Sequence, residues 1–186
     1  MNYGMVILMG EKNSKYYDEA YENRPEYNCL YNESYYMFIW EKVVKMLSIY
    51  EKPNIIELGC GTGQFAHLLQ DRGYINYVGY DFSEKGIKIA REMSNQHVEC
   101  RDIRDSLNYD CDVVICLETL EHVEKDKEIL KSIPRYTDII FSVPKFNDPA
   151  HVRYFENKED VFSRYDLSYV DVVDLDRFIL CRGYND

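Results

Sequence analysis

The sequence predicts an α/β fold: a doubly wound, seven-stranded, mostly parallel sheet with a C-terminal antiparallel hairpin and helices on both faces. From residue 55 onward, short apolar runs alternate with amphipathic segments, as in proteins built from strand–helix–strand units. A glycine-rich segment directly follows the first run, where such folds turn from strand into helix. Two apolar runs near the C-terminus are separated by a single acidic residue, which indicates the closing hairpin.

Seven apolar runs predict the strands. The first five alternate with helical patterns and are expected to pair in parallel; they are residues 55–58, 77–81, 97–101, 112–117 and 139–143. The two hairpin strands are residues 169–175 and 177–181.

Apolar residues spaced three and four positions apart predict the helices. The clearest pattern covers residues 35–50, and Pro53 with Asn54 ends it. Four further helices are expected at residues 65–72, 83–95, 124–133 and 158–165.

Length and charge restrict the domain organisation and the partners. The 186 residues fit a single domain, residues 1–186, with an aromatic helical segment at 1–52 and the sheet core at 53–186. The 33 acidic and 22 basic residues give a net charge of −11, which repels phosphate backbones and anionic membranes. We therefore do not expect a nucleic-acid partner.

Targeting signals and cysteines indicate a cytoplasmic protein without a membrane partner. The apolar run Met5–Met9 is far shorter than the roughly 20 residues of a membrane span, and it lacks the layout of a signal peptide. The six cysteines form no Cys-x-x-Cys pair, and most lie beside apolar residues of predicted strands. This pattern favours reduced, buried thiols over a metal site.

The strongest motif is the segment Glu57–Gly63, which has glycines at alternate positions between a predicted strand and a predicted helix. Such glycines permit a tight turn and let a ligand approach the backbone at the N-terminus of the next helix. Asp81 ends the second strand, where a carboxylate can accept hydrogen bonds from both hydroxyls of an adenosine ribose. Asp102, one strand further along, is placed to meet an adenine edge.

These residues resemble the class I, Rossmann-like S-adenosylmethionine-dependent methyltransferases, in particular small-molecule O-methyltransferases. The resemblance runs from about Tyr16 to the C-terminus, and it implies an enzyme with S-adenosylmethionine as cofactor and a small-molecule acceptor. The residues that it assigns to cofactor binding are Tyr17, Glu57, Gly59, Gly61, Gly63, Asp81, Phe82, Asp102, Ile103, Leu117 and Glu118.

The resemblance gives each group of residues its own part of the cofactor. The glycine turn cradles the methionine part, and Glu57 orients the amino group. Asp81 holds the ribose, and Asp102 with Ile103 contacts the adenine. The end of the fourth strand, residues 112–118, faces the donor methyl group.

The glycine segment also admits a second interpretation. Residues 61–66 satisfy the dinucleotide pattern G-x-G-x-x-G/A with a distant acid, which would indicate hydride transfer. Glu57, Gly59 and the terminal hairpin favour methyl transfer, as does the lack of chain for a separate catalytic domain.

Histidine is the side chain best suited to take a proton from an acceptor near neutral pH, and four are present. His67 lies within a predicted helix and His97 begins a predicted strand, so we expect both to be structural or exposed. His122 and His151 follow the fourth and fifth strands, at the sheet edge where ligands bind. We predict His151 and His122 as catalytic; helix capping or loop packing would explain their positions equally well.

The set Glu118, Glu121, His122 and His151 also resembles part of the metal site of RNA terminal-ribose 2′-O-methyltransferases. Two carboxylates and two imidazoles can bind a divalent ion that activates a hydroxyl. The fuller histidine-rich pattern of the RNA enzymes is missing after Pro144, and the acidic balance opposes an RNA partner. We therefore predict no metal and keep metal-assisted RNA methylation as an alternative.

The aromatic N-terminal segment has two interpretations. In similar methyltransferases a segment like Tyr16–Asp18 forms a lid over the cofactor, because rigid rings exclude water at little entropic cost. Plain packing explains the aromatics equally well. An oxygen acceptor is favoured by the two loop histidines. The absence of the Asn/Asp-Pro-Pro-Tyr/Phe motif of amino-group nucleic-acid methyltransferases argues against methylation of DNA bases. A cofactor sensor without turnover, or a subunit completed by a partner, would retain the same glycine turn.

Overall fold

The computed structural model describes residues 10–186, so the apolar run Met5–Met9 lies outside the described residues. The helices in this range are α1 (Ser14–Asn23), α2 (Met37–Leu47), α3 (Gln64–Asp71), α4 (Glu84–Met93), α5 (Asp126–Ser132) and α6 (Lys158–Arg164). The strands are β1 (Ile55–Leu58), β2 (Tyr77–Asp81), β3 (His97–Cys100), β4 (Val113–Cys116), β5 (Asp138–Pro144), β6 (Ser168–Leu175) and β7 (Phe178–Tyr184). No helix in the described part is long and apolar enough to cross a membrane.

The strands form one seven-stranded sheet in the order β3-β2-β1-β4-β5-β7-β6. Strands β1 to β5 pair in parallel, whereas β7 runs antiparallel to both β5 and β6. The order reverses between β1 and β4, and a crevice opens beyond the carboxyl ends of strands at such a point. The predicted mostly parallel sheet with a C-terminal hairpin is confirmed.

Both faces of the sheet are buried. Successive strand residues point to opposite sides, so each strand contributes side chains to both faces. In β4, Val113 and Ile115 join an apolar cluster with α2, α3 and α4. Val114 and Cys116 face the opposite cluster, which includes residues of α5 and α6. All four of these side chains are fully buried. The doubly wound arrangement with helices on both faces therefore follows from the unbroken apolar run of the strand.

Helix α1 was not predicted from the sequence. Its apolar spacing is weak, because only Ala20 and Tyr21 are buried among its ten residues. The helix is fixed at its start by Asn13, whose side chain accepts a hydrogen bond from the Tyr16 N–H at 3.1 Å. Two short 3-10 turns, Pro25–Tyr27 and Tyr31–Glu33, then connect α1 to α2.

Candidate active site

One pocket lies at the carboxyl edge of the parallel strands, and residues of α1 contribute to its lining. The predicted site residues that line it are Tyr17, Glu57, Gly59, Gly61, Asp81, Phe82, Asp102, Ile103, Leu117, Glu118, His122 and His151. Gly63 is the predicted site residue that does not line the pocket. The structure therefore brings residues from five separate strand ends, and one from α1, into a single cavity.

The glycine turn between β1 and α3 has a backbone that requires glycine. Gly59, Gly61 and Gly63 have positive φ angles of 79°, 53° and 78°, a conformation that other residues adopt at a cost. A Cβ atom on Gly59 would overlap the Thr119 side chain, and one on Gly63 would lie 2.9 Å from the Ala90 Cα atom. Gly63 therefore allows α3 to approach α4, whereas Gly61 exposes backbone to the pocket.

Asp81 joins the end of β2 to the glycine turn. Its side chain is buried and accepts hydrogen bonds from the Gly61 N–H at 3.0 Å and from the Ser83 N–H at 2.9 Å. Burial raises the pKa of Asp81 to about 6, although both backbone donors favour the ionised form. The carboxylate is therefore held in one orientation at the pocket wall and has lone pairs left for a ligand.

The next strand end carries Asp102, whose carboxylate is paired with Arg104. It accepts from the Arg104 backbone N–H at 2.9 Å and from the Nε–H at 2.8 Å, and this guanidinium lowers the pKa of Asp102. Arg104 also pairs with Glu11 and lies 5.8 Å from the centre of the Phe82 ring. Phe82 and Ile103 thus form apolar walls next to an acid that is already bound by the protein.

Glu57 lies on the pocket floor at the end of β1 and is almost fully buried. The Tyr77 hydroxyl donates a short hydrogen bond to its carboxylate. Burial nevertheless dominates and raises the pKa of Glu57 to about 8. A cationic ligand group beside Glu57 would favour its ionised form.

Beyond β4 the chain makes a sharp turn at Glu118, a non-glycine residue with a positive φ of 48°. The Glu118 N–H donates to the Ser142 Oγ at 3.0 Å, and the Ser142 hydroxyl donates to the Glu118 carboxylate at 2.7 Å. Burial raises the pKa of this carboxyl. Backbone strain of this kind concentrates at functional sites, and here it directs Leu117 and Glu118 into the pocket.

Glu121, His122 and His151 lie close together in the pocket lining. The two imidazole rings lie 4.8 Å apart between centres in an edge-to-face arrangement. One ligand atom from each of the three residues lies within 4.8 Å of the others. The Glu121 side chain is fully buried, and neither of its carboxylate oxygens has a hydrogen-bond partner. The His122 Nε2 atom lies 3.8 Å from one of these oxygens, beyond hydrogen-bond distance, so the carboxyl group lacks a hydrogen bond despite its burial.

The hydrogen bonds of the two histidines determine which ring nitrogen faces the pocket. The Nδ1 atom of His122 lies 3.0 Å from the Ala150 carbonyl oxygen, and that of His151 lies 3.3 Å from the Phe146 carbonyl oxygen. A carbonyl accepts only from a protonated Nδ1, so each Nε2 carries a free lone pair. Burial lowers the pKa of His122 to about 4 and also lowers that of His151. Both rings are therefore neutral at pH 7.

Helix α1 is attached to the cofactor side of the pocket through Asp18. Its carboxylate accepts hydrogen bonds from the Ser83 hydroxyl at 2.5 Å and from the Lys85 N–H at 3.0 Å, at the start of α4. The Tyr17 ring is thereby placed 5.4 Å from the Phe82 ring and 5.8 Å from the His122 ring. The Tyr17 hydroxyl is buried without a hydrogen-bond partner.

The remaining histidines lie outside the pocket. His67 is in α3, 3.9 Å from Asp71, and its ring packs edge-to-face on Tyr31. His97 is exposed and lies 2.8 Å from Glu99 on the outer strand. Neither contributes to the pocket lining.

Sequence reasoning missed two residues that organise the segment after α1. The Thr62 hydroxyl donates to the Tyr27 carbonyl at 2.5 Å, and the Gln64 amide donates to the Cys29 carbonyl at 2.8 Å. Their position within or next to the glycine motif was the signal available in the sequence. The structure shows that both polar side chains are buried. They connect the N-terminal segment to the turn that it covers.

Comparison with known proteins identifies the family. A family model described as a methyltransferase domain matches residues 31–173, most of the chain. The chain belongs to this methyltransferase family. The prediction of a class I, Rossmann-like S-adenosylmethionine-dependent methyltransferase is thereby confirmed, and the hydride-transfer interpretation is not supported.

Individual relatives of this methyltransferase share about 30% sequence identity with it over part of the chain. A ubiquinone biosynthesis O-methyltransferase of Idiomarina loihiensis is 31% identical over 86 residues, which cover 42% of this chain and 35% of that protein. The corresponding Coxiella burnetii protein is 28% identical over 123 residues, or 59% of this chain and 51% of that protein. The chain thus spans about a third to a half of these relatives. The fold matches magnesium protoporphyrin IX methyltransferase from Synechocystis with bound SAM, with a TM-score of 0.70, 14% identity and full coverage of both chains.

Proposed function

We propose that this methyltransferase transfers the methyl group of S-adenosylmethionine to an oxygen atom of a small molecule. The observation that carries the proposal is the contact between Asp81 and the glycine turn. Two backbone N–H groups orient the buried carboxylate, and Gly59 and Gly61 of the adjoining turn line the same pocket without side chains of their own. This combination suits a nucleoside with an attached amino acid, because both hydroxyls of a ribose can donate to the acid.

The remaining pocket residues fit the other parts of that cofactor. Glu57 faces its amino group, and the walls formed by Phe82 and Ile103 suit an adenine ring next to Asp102. Leu117 and Glu118 then border the donor methyl. The full cofactor-binding set of the proposal is Tyr17, Glu57, Gly59, Gly61, Gly63, Asp81, Phe82, Asp102, Ile103, Leu117 and Glu118, with Gly63 acting through helix packing.

The chain's own contribution to catalysis is orientation, exclusion of water and proton removal. S-adenosylmethionine supplies an electrophilic methyl group on a sulfonium, which leaves as a neutral thioether. Positioning the acceptor in line with that bond provides most of the rate enhancement. In this proposal the free Nε2 lone pairs of His151 and His122 take the proton from an acceptor hydroxyl. Both rings are neutral at pH 7 and are therefore able to accept it.

The N-terminal segment acts as a lid in this proposal. In this proposal residues 10–52 are the described part of the aromatic helical lid segment, and residues 53–186 are the core of one methyltransferase domain. Asp18 attaches α1 to the start of α4, and the Tyr17 ring lies between Phe82 and His122. A ring at this position separates the cofactor region from solvent and strengthens electrostatic interactions inside the pocket.

Charge and cysteine chemistry support a small-molecule acceptor and a cytoplasmic location. The net charge of −11 opposes binding of nucleic acids, which favours a small molecule. None of the six cysteines, all within the described residues, forms a disulfide. Reduced thiols fit a cytoplasmic location.

A metal-assisted reaction is the second candidate, although the sequence predicts no metal. The unpaired Glu121 carboxylate and the free Nε2 atoms of His122 and His151 fit a divalent cation, and each imidazole has a carbonyl partner at Nδ1, as metal-binding histidines usually do. A cation there would lower the pKa of an acceptor hydroxyl. Titration with Co²⁺ in the absence of acceptor separates the two candidates. A visible absorption spectrum that Glu121→Gln abolishes would establish the metal.

The proposed function is tested in two steps. Calorimetry with S-adenosylmethionine measures cofactor binding, and transfer of labelled methyl groups to a small-molecule extract measures turnover. We expect both, and we expect His151→Gln to keep cofactor affinity while losing turnover. His67→Gln is the matched control, because His67 lies outside the pocket. Tight binding without any labelled product would instead identify a cofactor sensor or a subunit that requires a partner.

A further inference from the structure

A buried ionic cluster lies directly behind the two histidine loops. Its centre is Asp126, the first residue of α5, whose side chain is completely buried. Arg164 donates two hydrogen bonds to Asp126, both at 2.7 Å, and the Tyr165 hydroxyl donates a third, also at 2.7 Å. Arg153 completes the cluster at 3.2 Å. A buried carboxylate with this many donors is held in one position.

Arg153 differs from Arg164 because it also binds backbone. Its Nη1 donates to the Leu120 and Val123 carbonyls, each at 2.5 Å, and its Nη2 donates to the Glu124 carbonyl at 3.3 Å. These carbonyls belong to the 3-10 turn Leu120–His122 and to the two residues that follow it. One guanidinium therefore binds the whole segment that carries Glu121 and His122.

Arg153 itself belongs to the other loop. It lies two residues after His151, and the Val152 N–H donates to the Glu121 carbonyl at 2.8 Å. The loops after β4 and β5 are thus joined by one backbone hydrogen bond and by the fork of Arg153. The Arg153 side chain is only 15% exposed, so water competes weakly for these contacts.

We propose that Arg153, held by Asp126, is a positioning residue that sets the distance and angle between His122 and His151. This inference rests on the proposed function, in which the two imidazoles remove the acceptor proton. The planar fork is essential, because a lysine ammonium cannot reach three carbonyls and a carboxylate at once. A displacement of about 1 Å between catalytic groups lowers a rate by roughly 100-fold.

The test compares Arg153→Lys with Arg164→Lys in the full chain. Both variants remove a guanidinium from Asp126, and only the first removes the contacts to the histidine turn. In protein labelled with ¹⁵N-histidine, the nuclear Overhauser effect between the two rings reports their distance, and the ring nitrogen shifts report their hydrogen bonds. We expect Arg153→Lys to weaken the nuclear Overhauser effect and to change the ring nitrogen shifts. Arg164→Lys should leave both signals unchanged and should only lower the melting temperature.

Activity and binding measurements complete the test. With Arg153→Lys, the affinity for S-adenosylmethionine should stay within about threefold, and labelled methyl transfer should fall roughly tenfold or more. Unchanged histidine spectra in Arg153→Lys, or equal changes in Arg164→Lys, would overturn the proposal. If Arg153→Lys does not fold, Arg153→Gln, which retains one planar amide donor, undergoes the same comparison. Altered spectra in a protein without methyl transfer would still support the positioning role and would reject the proposed function alone.

Discussion

The two halves of the pocket differ in how well their polar groups are paired. On the cofactor half, Asp81 binds two backbone N–H groups, Asp102 binds Arg104, and Glu57 accepts from Tyr77. On the acceptor half, both oxygens of the buried Glu121 carboxylate lack a partner. The cofactor half is therefore organised by the protein alone, whereas the acceptor half retains binding capacity for a ligand.

This difference has an energetic meaning. A buried polar group without a hydrogen bond costs about 1–3 kcal/mol, so the acceptor half destabilises the ligand-free fold. The turn at Glu118, with its positive φ, adds strain where the two halves meet beside the donor methyl. Costs of this kind are typical of sites where a ligand supplies the missing interaction. The comparison predicts that substitutions on the cofactor half mainly reduce the affinity for the cofactor. Replacing the unpaired group on the acceptor half should instead raise the free energy of unfolding.

The largest expected effect is on cofactor affinity in Asp81→Asn. The two oxygens of Asp81 face the Gly61 and Ser83 N–H groups, so an amide must turn its own NH₂ group toward one of these donors. We expect the affinity for S-adenosylmethionine, measured by calorimetry, to fall roughly 100-fold, since lost hydrogen bonds to a charged group cost about 1.5–3 kcal/mol. Asp71→Asn makes the same charge change on the exposed side of α3 and should bind normally. Equal affinities in the natural chain, Asp81→Asn and Asp71→Asn would contradict the assignment of the ribose site to Asp81.

A smaller effect, of opposite sign, is expected for Glu121→Gln on the acceptor half. Burial holds the pKa of Glu121 well above its usual value. A carboxyl with a raised pKa stabilises the fold fully below its unfolded pKa near 4.5, and that contribution is lost as the pH rises toward the folded value. Glutamine resembles the protonated acid and does not titrate.

The free energy of unfolding in urea, measured with a chelator present, should therefore be similar for the two proteins at pH 4. At pH 8 the Glu121→Gln variant should be more stable by about 1 kcal/mol or more. Glu128→Gln, an exposed substitution on α5, should show no such divergence. A variant less stable than the natural chain at pH 8 would show that Glu121 has a stabilising partner.

The sequence predicted the sheet better than it predicted the lid. Strands β1 and β2 have the predicted bounds, because strands buried on both faces are continuous apolar runs. Strand β7 extends to Tyr184, beyond the predicted end at Cys181, because pairing with β5 decides its length: Gly183 pairs with Ile139. Helix α1 has too few buried residues to give a periodic signal.

The site residues were accessible to sequence reasoning where they follow strands. Asp81 and Asp102 stand at strand ends, so parallel pairing alone brings them to one edge. The pairing of Asp102 with Arg104 was not predictable, since it depends on side-chain direction within a loop. Arg153 was likewise missed, because its carbonyl partners at Leu120 and Val123 are more than 25 residues away and carry no side-chain signal.

The smallest expected effect compares two buried tyrosine hydroxyls of the site, one with a hydrogen-bond partner and one without. The Tyr77 hydroxyl donates to Glu57, whereas that of Tyr17 is buried without a partner. Tyr77→Phe should lower the free energy of unfolding by about 1 kcal/mol, the typical net value of a buried hydrogen bond, and Tyr17→Phe should leave it unchanged or slightly raise it. Urea unfolding of the ligand-free protein measures both. Each variant loses one phenolic hydroxyl group, so the difference between their free energies of unfolding reports whether that hydroxyl has a hydrogen-bond partner. If Tyr17→Phe costs as much as Tyr77→Phe, the Tyr17 hydroxyl has a partner, and the contrast between the two halves is confined to Glu121.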